Sequence, residues 1–424
     1  MKNRKTEIFA IFAMFFCIHA FNGLNTPFLP LFLEDMGYGV TARSLLLSIG
    51  PVVAMLTQPM WGSFGDKAKD KANIMRIMAL GMVLVTVLYI LSFLPAVRNL
   101  MPGLKPIAVT SMFVLPALIL YNFFRSPMQP LSDTITLEYI YQTKPRFKYG
   151  PARMTGTIAF MIVSLSVGSL IEVSRHGTGV IFFVQMGVVI LMLAVLTFLP
   201  KVPGKQEKKD KEPAAVLFKD PWFVMILIMA FVCATTMGFY ASHFSTYLRD
   251  QLHAGEKIVG MSSAISSVLE IILFFTSYRI IRKTGILNLM LIDLCLVATR
   301  WMIFSVTTSI PVIMGVQFFT QPFSWAIFSY TLSVFIQRAI EDKMHSRAQG
   351  LLNGTALSFG SVLGTLGGGF AIRAVGEHMQ RFVFLGISIL CIGTIITAVT
   401  VFTKLGWRPN RTPERFQLHD TDAA

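Results

Sequence analysis

The sequence predicts an all-α membrane protein with twelve transmembrane helices in two six-helix halves, on three observations. Of its 424 residues, 54% are hydrophobic and 14% charged, and the mean hydropathy is +0.63, outside the range of soluble globular domains. Apolar stretches of about 20 residues recur along the chain, the length of helix that crosses a hydrocarbon core. Basic residues alternate from loop to loop: the N-terminus, even-numbered loops and C-terminus hold 27 of the 37 Lys and Arg, and the odd-numbered loops hold 8. The positive-inside rule then puts both termini in the cytoplasm and requires an even number of spans. The net charge of +15 is explained without a nucleic-acid partner, and the expected location is the cell (plasma or inner) membrane.

The first four spans are predicted over 8–33, 43–64, 73–95 and 107–138. The first apolar run is too long for a signal-peptide core and no small-residue cleavage site follows it, so it stays as a helix. The second half of the fourth is polar and is expected to continue as helix past the hydrocarbon core. The fifth and sixth run over 153–172 and 178–200. Lys201 to Lys219, KVPGKQEKKDKEPAAVLFK, is the longest polar stretch between spans. It reads as a cytoplasmic linker at 201–219 between an N-terminal bundle at 1–200 and a C-terminal bundle at 220–404, with a cytoplasmic tail at 405–424. The last six spans are placed at 220–247, 258–281, 286–305, 311–337, 347–371 and 381–403. In the eleventh, Gly360, Gly364 and Gly368 recur every four residues, a pattern that lets helix backbones touch and serves packing rather than chemistry. Cys17, Cys233, Cys295 and Cys391 all fall inside spans, and neither they nor the histidines have metal-ligand spacing. No cofactor and no metal are expected.

Charges inside spans carry the functional argument. Glu270 sits mid-way along the eighth span, with no charged neighbour in the run before Arg279. An ionisable side chain at the centre of a spanning helix costs roughly 2.5 to 3.5 kcal/mol on insertion scales, and such residues mark ion or substrate routes. Arg300 in the ninth span and Arg125 and Asp133 in the fourth add to this set, while Asp133, Arg153 and Asp293 also fit ordinary charges near a span's end. Polar stripes at helical spacing accompany them: His19, Asn22 and Thr26; Arg125, Gln129 and Asp133; Thr236, Tyr240, His243 and Tyr247; Ser263, Ser267 and Glu270; Gln317 and Gln321, followed by Trp325 and Phe328. Converging, they make a polar cavity with aromatic walls. Taken singly, each stripe also fits interhelical hydrogen bonding.

Between the second and third spans the chain reads Gly62-Ser-Phe-Gly-Asp66-Lys67-Ala-Lys69-Asp-Lys71. This resembles the loop signature of the major facilitator superfamily. Gly62 is expected to let helices approach, and Asp66 with Lys67 to cap a helix end and latch one conformation; an ordinary positive-inside loop is the alternative. With Pro27-Phe-Leu-Pro30 and Gln58-Pro-Met-Trp-Gly-Ser-Phe-Gly-Asp66-Lys67, the likeness over nearly the whole chain is to the lactose-permease-type branch, which includes oligosaccharide, nucleoside and phenylpropionate proton symporters.

The resemblance implies roles residue by residue. Tyr149-Gly-Pro-Ala-Arg153-Met-Thr-Gly156 is similar to the fifth-helix segment whose arginine binds sugar, so Arg153 becomes a substrate ligand. Asp133 falls where the family has a substrate-binding glutamate, and Phe160 where a tryptophan stacks on the sugar. Glu270 matches an essential eighth-helix glutamate, and Arg300 a ninth-helix arginine involved in proton coupling. Arg125 is similar to a fourth-helix arginine of nucleoside symporters. The tenth-span stretch Gln317-Phe-Phe-Thr320-Gln321-Pro322-Phe lacks the family's histidine and glutamate, so Glu270 or Asp133 has to carry the proton.

The implied function is secondary active transport of a small polar organic solute, a sugar, nucleoside or aromatic acid, by alternating access and proton symport. Protonation of Glu270 would release its pairing with Arg300 or Arg125; Asn22, Tyr240, His243, Gln317 and Gln321 would hydrogen-bond the solute; and Phe160 or Trp325 would stack on a ring. Proton-coupled export of drugs or metabolites is a second reading, and a non-transporting membrane sensor a third, of another class. No nucleophile and base or metal constellation points to an enzyme. The family implies a monomer in the lipid bilayer.

Overall fold

The computed structural model describes residues 4–101, 103–145, 147–204, 214–341 and 344–408. The middle of the expected linker and most of the expected C-terminal tail lie outside the described residues. Helices follow the apolar runs: α1 (Arg4–Asp35), α2 (Val40–Lys67), α3 (Lys71–Phe93), α4 (Pro106–Arg125), α5 (Met128–Thr143), α6 (Tyr149–Val173) and α7 (Val180–Leu196). After the linker come α8 (Pro221–Thr246), α9 (Glu256–Thr284), α10 (Ile286–Val306), α11 (Ile310–Pro322), α12 (Phe328–Ala339), α13 (His345–Leu351), α14 (Phe359–Val375) and α15 (Gln380–Lys404). The expected fourth span is α4 plus α5, interrupted at Ser126 and Pro127, where the backbone stays near helical but proline supplies no N–H and crowds the preceding turn. The expected tenth span is α11 plus α12, joined by a wider π-helical turn at Phe323–Ile327 that follows Pro322. Proline removes a backbone donor and crowds the preceding turn, and such insertions relieve it. Tight reversals use glycine at positive φ, Gly37 at 89° between α1 and α2 and Gly285 at 82° between α9 and α10. Among the described residues, ten helices are long and apolar enough to cross a membrane; the other two expected spans are helix over 256–284 and 310–339.

The chain divides into two compact units, 1–208 with 241–264, and 209–240 with 265–424. The tip of the α8–α9 hairpin thus belongs to the first unit. In that unit α1 is the central helix, packed on α6 and α7, and α3 lies against α4 and α7. Phe15, Phe21, Phe28 and Phe32 of α1 are fully buried. Phe32 and Phe182 meet edge to face at 4.7 Å, and Tyr89 stacks on Phe182 at 4.3 Å. In the second unit α10 packs chiefly on α15, with Phe239, Trp301, Phe304 and Phe384 in one aromatic cluster. Many large apolar side chains point outward, among them Leu56, Leu80, Ile190, Phe382 and Ile396. Such a surface suits lipid as the solvent.

The small-residue stripe of the eleventh span packs as its spacing predicts. A Cβ at Gly360 would meet the Phe231 carbonyl and one at Gly364 the Thr235 carbonyl, and Thr365 Oγ1 donates to the Gly238 carbonyl at 3.2 Å. The loop after α2 departs from expectation. Gly62 is exposed with nothing near its Cβ position, so it mediates no helix contact. The cap is Asp70 rather than Asp66: its Oδ1 accepts from the backbone N–H of Ala72 at 3.0 Å and of Val202 at 3.2 Å. Asp66 and Lys67 are exposed, and the buried ion pair of this corner is Lys71 with Glu138 at 3.0 Å. The reason is where the helix ends. Ala68 is extended, so α3 starts after Asp70, and the first linker residues lie back on the loop through Lys71 N–H to Val202 carbonyl and Gly204 N–H to Ala68 carbonyl, each 2.8 Å. Replacing Asp70 by alanine is expected to cost about 1 kcal/mol, the usual worth of such a cap. A lower melting temperature of the detergent-purified protein would register it; an unchanged one would deny Asp70 this role.

At the tip of the α8–α9 hairpin, Arg249 meets four carboxylates within the first unit: Glu34 at 2.5 Å, Asp35 at 2.9 Å, Asp250 at 3.3 Å and Glu256 at 3.8 Å. Arg43 also pairs with Glu34. Glu172 accepts from the Lys257 N–H at 3.0 Å. A planar fork that serves several carboxylates orders the segment carrying it. Arg249→Gln is accordingly expected to speed amide hydrogen exchange across 247–256 while leaving α1 and α6 protected; equal exchange in both proteins would count against this clamp.

Candidate functional site

Each unit carries its own buried polar cluster. In the first, Arg125 closes the last turn of α4, buried, and its Nη2 donates to Asn22 Oδ1 of α1 at 2.7 Å. Its Nε has no hydrogen-bond partner among the described residues. Two turns beyond the proline break, Asp133 Oδ1 accepts from Gln129 Nε2 at 2.9 Å and from the Tyr149 hydroxyl at 2.8 Å. Arg153 of α6 reaches His19 of α1, Nη1 to Nε2 at 2.7 Å. The imidazole packs against α6 where Gly156 leaves it room; a Cβ there would collide with the ring. Asn22, His19, Arg125, Asp133 and Arg153 thus lie in one polar region of this unit, contributed by α1, α4, α5 and α6. Tyr149 was legible only as part of a motif, and its bond to Asp133 is new. Two cations and one carboxylate give the cluster an excess of hydrogen-bond donors, suited to hydroxyl, carbonyl or carboxylate oxygens.

In the second unit the guanidinium of Arg300 is fully buried. Its Nη1 donates to Gln321 Oε1, and its carbon lies 5.6 Å from the Tyr240 ring centre and 5.3 Å from that of Trp301, a cation–π setting. Gln317 Nε2 donates to the Tyr240 hydroxyl at 2.6 Å. Arg300 Nε and Nη2 and Gln317 Oε1 have no hydrogen-bond partner among the described residues. The Pro322 break ends the turn that carries both glutamines. Tyr240, Arg300, Gln317 and Gln321 are thus one cluster.

Other expected contacts differ. Among the described residues, the contacts of Arg300 are an amide and two rings, with Gln321 where the expected pairing put the Glu270 carboxylate. Glu270 is half-buried on α9. His243, three residues after Tyr240 on α8, is buried. Phe160 is half-buried on α6, its backbone against Gly23 of α1. The side chain of Trp325 lies outside the described residues. Among the described residues no group of three or more His, Cys, Asp or Glu could hold a metal.

Spanning helices that bury arginines and amides in each unit define a multi-helix membrane transporter. The chain belongs to the MFS_1 like family, whose model matches residues 8–384. It is 24% identical over 375 residues to the maltose permease of Geobacillus stearothermophilus, covering 87% of this chain and 88% of that one. It is likewise 24% identical over 301 residues to a probable 3-phenylpropionic acid transporter of Escherichia coli (strain K12), covering 70% and 73%. The crystal structure of the nucleoside transporter NupG matches its fold with a TM-score of 0.76 at 14% identity, over 95% of this chain and all of the other.

Proposed function

We propose that this transporter carries a small polar organic solute, a sugar, nucleoside or aromatic acid, by alternating access in symport with protons, as a monomer in the cell membrane with both termini cytoplasmic. The observation that carries the reading is the donor-rich cluster of Arg125, Asn22, His19, Arg153 and Asp133 inside an otherwise apolar helical unit. Membrane-buried guanidinium groups are costly, and the hydrogen-bonding capacity left on Arg125 fits a solute that supplies acceptor oxygens. The permeases similar to this chain handle solutes of that kind. Arg300, Gln317, Gln321 and Tyr240 form the second set of polar groups for the solute. Glu270 is the carboxylate for the coupling proton, since the tenth span offers amides only, and no cofactor is required.

The test is uptake by the purified chain in proteoliposomes, with labelled maltose, uridine and 3-phenylpropionate, with and without an inward proton gradient. Gradient-dependent accumulation of one of them supports symport and names the class. Equilibration of a solute that the gradient leaves unchanged would replace symport by facilitated diffusion. Failure of all three to exchange across the membrane would remove this solute class.

A further inference from the structure

We propose that Asp293 is a second proton-binding site, which holds a proton in this conformation and releases it in another during the transport cycle; this rests on the symport reading above. Asp293 lies on α10 and is 0% exposed. Neither carboxyl oxygen has a hydrogen-bond partner among the described residues, and none of their ion pairs includes it. The groups of this unit that could pair with Asp293 are few among the described residues: α9, which leads into α10 through Gly285, carries Glu270, Arg279, Arg282 and Lys283 in this unit. On α15 the titratable or charged groups are Arg381, Cys391 and Lys404, and on α12 they are Tyr330 and Arg338; α11 and the Phe323–Ile327 turn have none. The part of α8 in this unit, which meets α10 through Phe239 on Trp301, brings Cys233 and Tyr240. Arg300, seven residues on, shares its helix face at about 10 Å along the axis, but engages Gln321 and Tyr240.

A buried carboxylate without donors is neutralised rather than held charged. A carboxyl kept for architecture satisfies its oxygens, because buried polar groups in folded proteins are hydrogen-bonded and each exception calls for a role. Asp293 also has a short way out. It stands seven residues from Ile286, the start of α10, about 10 Å at 1.5 Å per residue, towards the end that Arg279, Arg282 and Lys283 mark as cytoplasmic. A proton lost there is delivered to the side to which a symporter carries its solute.

The experiment uses the full-length chain in liposomes. Its infrared spectrum at neutral pH should contain the carbonyl stretch of a protonated carboxylic acid, which Asp293→Asn removes and Glu270→Gln leaves. Should the Asn variant fail to fold, aspartate carrying heavy carbon at its carboxyl, incorporated into the Asp133→Asn chain, should move that band to lower frequency. A band that neither Asp293→Asn nor the label alters overturns the proposal. Transport separates this from failure of symport itself. Wild-type protein that never accumulates maltose, uridine or 3-phenylpropionate under a proton gradient refutes symport, and the proposed release step with it. Where the wild type does accumulate one of them, Asp293→Asn should lose that accumulation and keep counterflow; gradient-driven accumulation retained by the Asn variant also overturns the proposal.

Discussion

Arg125→Ala is expected to abolish solute binding and uptake while leaving the chain inserted and folded. Arg125 is buried where α4 meets the Ser126 and Pro127 break, with Nη2 on Asn22, so its side chain is held in one direction by helix and amide together. A hydrogen bond with one charged partner is worth about 1.5 to 3 kcal/mol, on the order of 10- to 100-fold in affinity for each such bond lost to the solute. Arg125→Lys separates charge from geometry. Lysine keeps the charge but loses the planar fork that can hold Asn22 and a solute oxygen at once. Uptake in the Lys variant should therefore stay far below wild type. Counterflow at matched protein amounts is the measurement, and wild-type affinity in both variants would show that the guanidinium only supports packing.

How much of this was legible beforehand divides along physical lines. Helix positions were, because an apolar run of spanning length has few alternatives in lipid. The packing role of Gly360 and Gly364 was legible too, since spacing alone puts them on one face, and so was the burial of Arg125 and Arg300. Partner choice was not. Asp66 and Asp70 differ by four residues, and the cap goes to Asp70 because the backbone extends at Ala68 and the linker returns to it, which only the folded chain reveals. Arg300 could be paired on paper with Glu270; the turn ahead of Pro322 brings Gln321 to it. The Tyr149 bond to Asp133 needs two helices to meet at their ends. Asp293 looked like a residue near a span's end, and its isolation is a property of everything around it.

Glu270→Gln is expected to abolish proton-driven accumulation and to spare exchange. Glutamine has nearly the shape of a protonated glutamic acid but cannot release a proton, so the variant mimics one protonation state permanently. Coupling needs a group whose proton affinity differs between two conformations, because a ligand shifts an equilibrium only by its differential affinity for the two states. Burial favours the neutral acid, and an aqueous path or a nearby cation favours the carboxylate. Glu270, half-buried on a helix with Ser263 and Ser267 along its stripe, is placed to pass between these settings. Counterflow requires neither proton entry nor proton exit and should persist in the Gln variant, whereas uphill uptake should fall to the level reached without a gradient. The opposite pattern, accumulation kept and counterflow lost, would make Glu270 a solute ligand and leave Asp133 and Asp293 as the carboxylates through which coupling runs.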